Sequence, residues 1–184
     1  MNKSFEKTNL ILEEALELIP LGSQTFSKSY IQFPDKFAPL YIDRGNKGKV
    51  IDVDGNEFVD LIMGLLSNIV GYNDKDIEKA ICSQLKKGIS FSLNSVLELQ
   101  LAKKLNQLIP SAEMVRFGKN GTDATSGAIR LARAYTGRDK IIAIGYHGWQ
   151  DWYVGSTVLN SGVPNSTREL TYKVEFNNIE QIYK

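Results

Sequence analysis

Apolar residues recur at helical spacing near the amino terminus, where Phe5, Leu12, Ala15, Leu16 and Ile19 predict a helix over residues 4–18. Ser4 stands where a cap belongs and Pro20 where a helix stops. From Gly22 to Phe37 no period holds, but Phe26, Tyr30, Phe33 and Phe37 argue for an ordered loop rather than disorder. Short runs at 40–43, 49–53 and 58–61 then read as strands, and Asp54-Gly55-Asn56 is a turn signal between the last two. Helices are predicted at 75–87, with Ile77, Ile81 and Leu85 on one face, and at 95–108, with Leu97, Leu101 and Leu105. Pro110 closes the second.

The pattern becomes more regular beyond that proline. Residues 114–117 read as a strand, Gly118-Lys119-Asn120-Gly121-Thr122 as a tight loop, and 123–135 as a helix. Ala124, Ala128, Leu131, Ala132 and Tyr135 form an apolar stripe along that helix. Residues 140–144 and 170–176 read as further strands, and 179–184 as the opening of a helix. Strand–helix–strand alternation predicts an α/β fold with a mostly parallel sheet. A helix that stops one or two turns in points to a piece of a longer domain; a short surface helix is the plainer alternative.

Composition narrows the classes. The 184 residues suffice for one well-cored domain, and 42% hydrophobic with 23% charged residues is ordinary for a soluble chain. A net charge of +1 gives no electrostatic reason to expect nucleic acid or an anionic membrane. With Cys82 as the one cysteine and His147 as the one histidine, a disulfide framework and a Cys/His metal cluster are excluded. Glu6, Glu13, Glu14 and Glu17 interrupt what a signal peptide would need as an apolar core, so the expected location is cytoplasmic.

Three segments could carry chemistry. A glycine turn from a strand into a helix, as at Gly118 to Thr122, exposes backbone N–H groups where the helix dipole is positive, which suits a phosphate. The loop lacks the Lys-Ser or Lys-Thr spacing of a Walker loop, and glycine equally serves a plain tight turn. Gly145-Tyr146-His147-Gly148-Trp149-Gln150-Asp151-Trp152 follows a strand, at the sheet end where ligands gather, with aromatic rings that can stack on a planar ligand or simply pack. Ile51-Asp52-Val53-Asp54-Gly55-Asn56-Glu57 looks like the start of a calcium loop, but the later bidentate glutamate is missing and it reads as a hairpin.

Taken in order, these segments resemble the class III aminotransferases, and within them the glutamate-1-semialdehyde aminomutase-like group. The resemblance runs through Ile51 to Asp60, Val70-Gly71-Tyr72, Val115-Arg116-Phe117, Asn120 to Ala124, the specific run Ala128 to Arg138, and Tyr146-His147-Gly148. It implies a fold-type I transferase that uses pyridoxal 5'-phosphate. Residues 1–60 would be an amino-terminal helix, loop and hairpin, and 61–184 the first part of the large cofactor domain. Asn120, Gly121 and Thr122 would bind the cofactor phosphate, Tyr146 would stack on its ring, and His147 would lie beside it. Ser23, Thr25 and Ser27 match the segment that lines the substrate side. An amino donor, a carbonyl acceptor and a homodimer are implied as partners.

The departures matter as well. The family usually has serine and glutamate where this chain has Asn120 and Asp123, which suggests a subgroup with a different substrate, from surface-sugar or secondary metabolism. No lysine matches the family's Schiff-base lysine: Lys119 lies in the phosphate loop and Lys140 leads into a strand. No residue here is therefore assigned a catalytic role. The expectation is the amino-terminal part of an aminotransferase or aminomutase. The alternatives are an inactive truncated or split product and an unrelated α/β phosphate-binding module. Cutting a sheet partway exposes edges and apolar faces, so the chain alone is expected to be poorly soluble or oligomeric.

Overall fold

The computed structural model describes residues 3–183, which form two compact units divided between Leu93 and Asn94. The first unit opens with α1, Glu6–Leu18, and Ile19 is already extended ahead of Pro20, as the residue before a proline prefers. Three 3-10 turns, Pro20–Gly22, Phe26–Lys28 and Tyr30–Gln32, carry the polar, aromatic segment, so it is an ordered loop. Strands β1 (Ile42–Asn46), β2 (Lys49–Asp52) and β3 (Glu57–Val59) form an antiparallel sheet in chain order. β1 lies later than the predicted 40–43, and β3 is shorter than the predicted 58–61. The four residues of β2 fix how much of each neighbour can pair. The turn at Asp54-Gly55-Asn56 closes as its sequence predicts, with Gly55 at φ 85 and Asp52 N–H bonded to the Asn56 carbonyl at 3.1 Å.

An irregular segment follows, with the four-residue α2, Met63–Leu66, whose residues sit at positive φ. Lys47 and Tyr72 exchange two backbone bonds of 2.8 Å each, pinning the end of this segment to the sheet. Gly71 must be glycine there, because at φ 87 a Cβ would lie 2.9 Å from the Lys47 backbone. Helix α3, Lys75–Leu85, is capped by Asp74, which accepts from the Asp76 and Ile77 amides.

The second unit begins with α4, Val96–Leu108, entered through a capping box of Ser95 and Glu98. Then come α5 (Gly121–Thr136), β4 (Ile141–Ile144), α6 (Asp151–Val154), α7 (Asn165–Arg168), β5 (Thr171–Val174) and α8 (Glu180–Tyr183). β4 and β5 pair in parallel, and Ala143, Tyr153, Val163 and Val174 make the small core around them.

The hairpin expected within residues 1–60 is a three-stranded antiparallel sheet, and the mostly parallel sheet expected beyond it is a two-stranded parallel one in the second unit. One expectation needs correction. Residues 114–117 are not a strand, because no described strand offers them a ladder and a strand exists only where it is paired. The apolar stripe of α5 is exposed, with Leu131 at 72% and Tyr135 at 91%. The face turned inward carries Thr122, Thr125, Ser126 and Ile129. The Thr125 and Ser126 hydroxyls find partners in the loop after β4, whereas no described element of this unit lies over the stripe.

Candidate functional site

The site is built where α5 begins and where the chain leaves β4. Asn120 is the N-cap of α5, extended at φ −118, and its own amide is held by Asp123 Oδ2 at 3.0 Å. That contact is half of a capping box and keeps the turn into α5 tight. Gly121 and Thr122 supply the first two helical amides, and neither has a hydrogen-bond partner among the described residues. The Thr122 side chain is buried and its Oγ1 also lacks a partner. A 16-residue helix thus presents unpaired donors at its positive end.

The loop from Gly145 to Trp152 packs on that end. Gly148 sits at φ 115 directly against Thr122, and a Cβ there would come within 2.8 Å of the Thr122 Cβ and run into its hydroxyl. Thr125 Oγ1 donates either to the His147 carbonyl at 3.0 Å or to the Thr122 carbonyl at 3.1 Å. His147 is half-buried, and its Nε2 lies 2.7 Å from the Ile144 carbonyl. A carbonyl only accepts, so Nε2 carries a proton and, in the neutral ring, Nδ1 is the accepting nitrogen. Tyr146 is 78% exposed and meets Tyr153 edge-on at 5.8 Å. Tyr153 is buried and donates to the Gly145 carbonyl at 2.6 Å. Burial, with a smaller contribution from Tyr146, pushes its phenol above the usual value, so it stays a neutral donor.

Ser126, not singled out in the sequence, joins Gln150 and Trp152 of the named segment to complete the contact. Trp152 Nε1 donates to Ser126 Oγ at 3.0 Å, and Ser126 Oγ donates to Gln150 Oε1. Trp152 also stacks on His147, with ring centres 6.2 Å apart and planes at 29°. The signal for it was present as a polar stripe, Thr122, Thr125 and Ser126, at one-turn spacing on the first half of α5.

Of the predicted site residues, Asn120, Gly121, Thr122, Tyr146 and His147 all belong to this one constellation. Ser23, Thr25 and Ser27 belong to the first unit. There Ser23 is half-buried and bonds Thr25 at 3.1 and 3.3 Å, while Thr25 and Ser27 are exposed.

The family model described as aminotransferase class-III matches residues 31–183 of the chain. The chain belongs to the class-III aminotransferase family. Within it, the chain is 40% identical over 173 residues to a 3-aminobutyryl-CoA aminotransferase of Cloacimonas acidaminovorans, covering 94% of this chain and 41% of that protein. It is 39% identical over 183 residues to a glutamate-1-semialdehyde 2,1-aminomutase of Francisella philomiragia, covering 94% and 42%. An omega-transaminase from Sphaerobacter thermophilus superposes with a TM-score of 0.82 at 29% identity, over 95% of this chain and 43% of that one. A transaminase solved with PLP bound superposes at 0.85 and 28% identity, over 98% and 43%. The chain therefore spans about two-fifths of the length of these class-III relatives, and its mixed α/β fold matches their amino-terminal part.

Proposed function

We propose that this chain is the cofactor-phosphate-holding part of a pyridoxal-phosphate-dependent aminotransferase or aminomutase that moves an amino group on a small carbonyl compound. The observation that carries the reading is Thr122, a buried hydroxyl without a partner at the positive end of α5, beneath a glycine that admits no side chain. An orphaned buried hydroxyl costs about 1–3 kcal/mol, so its retention is best explained by a ligand that completes it. A phosphate monoester fits: it is anionic, accepts from several donors, and suits the amides of Gly121 and Thr122.

In this reading the residues divide their work. Thr122, Gly121 and Asn120 hold the phosphate. The exposed ring of Tyr146 offers a face to a planar pyridine, and His147 flanks it with Nδ1 as an acceptor. When bound, the cofactor supplies the electron sink for amino-group transfer. The lysine that would anchor it covalently is not assigned to this chain, because neither Lys119 nor Lys140 matches the family's position. Lys140 Nζ rests 5.3 Å over the Tyr172 ring instead. Activity thus depends on residues that this chain does not supply.

The test compares pyridoxamine 5'-phosphate, which cannot form a Schiff base with lysine, with pyridoxamine. The chain is expected to prefer the phosphate ester by at least about tenfold, and Thr122→Val to lose most of that preference, as about 1–2 kcal/mol for one bond to an anion requires. Equal affinity for both compounds in the unsubstituted chain sinks the proposal.

A further inference from the structure

The loop that carries Tyr146 and His147 is tied to α5 about one turn beyond Thr122, and the tie is polar. Trp152 donates to Ser126, and Ser126 donates to Gln150. The direction of this relay is fixed, because the indole N–H can only donate and the Gln150 oxygen can only accept. All three side chains are half-buried, so the bonds are shielded from competing water. Thr171 Oγ1 donates to the Trp152 carbonyl at 2.5 Å, which anchors the relay's far end on the first residue of β5. The indole in turn stacks on the His147 ring.

We propose that Ser126, Gln150 and Trp152 are positioning residues that set where Tyr146 and His147 stand relative to the start of α5. The inference rests on the cofactor reading above, and adds to it a split between two sets of residues. Asn120, Gly121 and Thr122 belong to the helix start and hold the phosphate whether or not the relay is intact. Tyr146 and His147 belong to the loop, and their approach to the ring depends on the relay. Ser126 is the hinge of the arrangement, since one hydroxyl serves both the indole and the amide.

The split gives the test its form. Affinities for inorganic phosphate and for pyridoxamine 5'-phosphate are measured in the full chain and in Ser126→Ala, Trp152→Phe and the double variant. Trp152→Phe keeps an aromatic ring against His147 and removes only the N–H donor, so it carries the test if Ser126→Ala fails to fold. Each single variant is expected to weaken pyridoxamine phosphate about 3- to 10-fold while leaving inorganic phosphate within about twofold. The double variant should be no weaker than the Ser126 variant, because both changes break the same bond. Unchanged pyridoxamine phosphate affinity, an equal fall for both ligands, or independent losses that multiply in the double variant would overturn the proposal. If the unsubstituted chain binds neither ligand, the cofactor reading itself fails and takes this inference with it. That result is told apart from the others by the control alone.

Discussion

Asp54 shows how one side chain can join distant parts of the chain. Its two carboxylate oxygens accept the Lys7 and Thr8 amides at 2.8 and 2.9 Å, so a hairpin residue caps α1 from 46 or 47 positions away. Beside it, Asp52 is buried, and its oxygens take the Asp54 and Asn56 amides and the Asn56 side chain. The segment that looked like the start of a calcium loop thus spends its carboxylates on backbone donors. Partial burial works against the Asp54 charge, but the Lys7 and Thr8 amides outweigh it and hold the carboxyl below its ordinary value. The Tyr72 hydroxyl at 2.6 Å, aided by nearby amides, does the same for Asp60. A lowered folded-state value gives stability that is present above the unfolded value and is lost as pH falls through the folded one. The first unit should therefore weaken below about pH 4. Asp54→Ala should cost about 1–2 kcal/mol near neutral pH and flatten the acid limb of the urea-midpoint profile. A variant as stable as the parent, with the same acid limb, would remove the cap from the account.

Elements were legible where local signals sufficed. The helices at 6–18, 75–85 and 96–108 and the turn at Gly55 follow from periodicity, caps and turn chemistry, all of which act within a few residues. What the sequence could not give was pairing and facing. Residues 114–117 have the composition of a strand but no partner among the described residues, and the cap position of α1 falls on Phe5 rather than the expected Ser4, with Asp54 supplying the capping acceptors. For α5 the period marks the helix but not the face it turns inward, which is the one with Thr122, Thr125, Ser126 and Ile129. The turn into α5 and the Gly145–Gly148 loop were readable because glycines mark them, and Gln150 and Trp152 stand in the segment named beside them, whereas their partner Ser126 lies 24 and 26 positions away on α5 and carries no local signal. The outward stripe of α5 gives a prediction at this scale. Leu131→Lys with Tyr135→Lys should shift the second unit's stability by less than about 1 kcal/mol, since both side chains are already in water, and should reduce self-association. A loss of several kcal/mol on unfolding would show that the stripe is buried.

For the whole molecule the decisive quantity is surface. A folded chain of 20.6 kDa is expected to expose about 9,000 Å², and two separate bodies of half that mass about 11,000 Å². This chain exposes 15187 Å², and Leu61, Leu93, Met114, Val158 and Phe176 are each more than 80% exposed. Against relatives more than twice as long, with a fold that matches their amino-terminal part, such a surface fits a chain that functions with further polypeptide laid over it.

The central claim is a phosphate cup without its covalent anchor. It is tested most directly by titrating the purified chain with pyridoxal 5'-phosphate, reducing with borohydride and measuring the intact mass. The account predicts reversible binding and, after reduction, only scattered adducts well below one per chain. A one-to-one adduct on a single lysine, with the absorbance of an anchored cofactor, would place the Schiff-base residue within these 184 positions and contradict it.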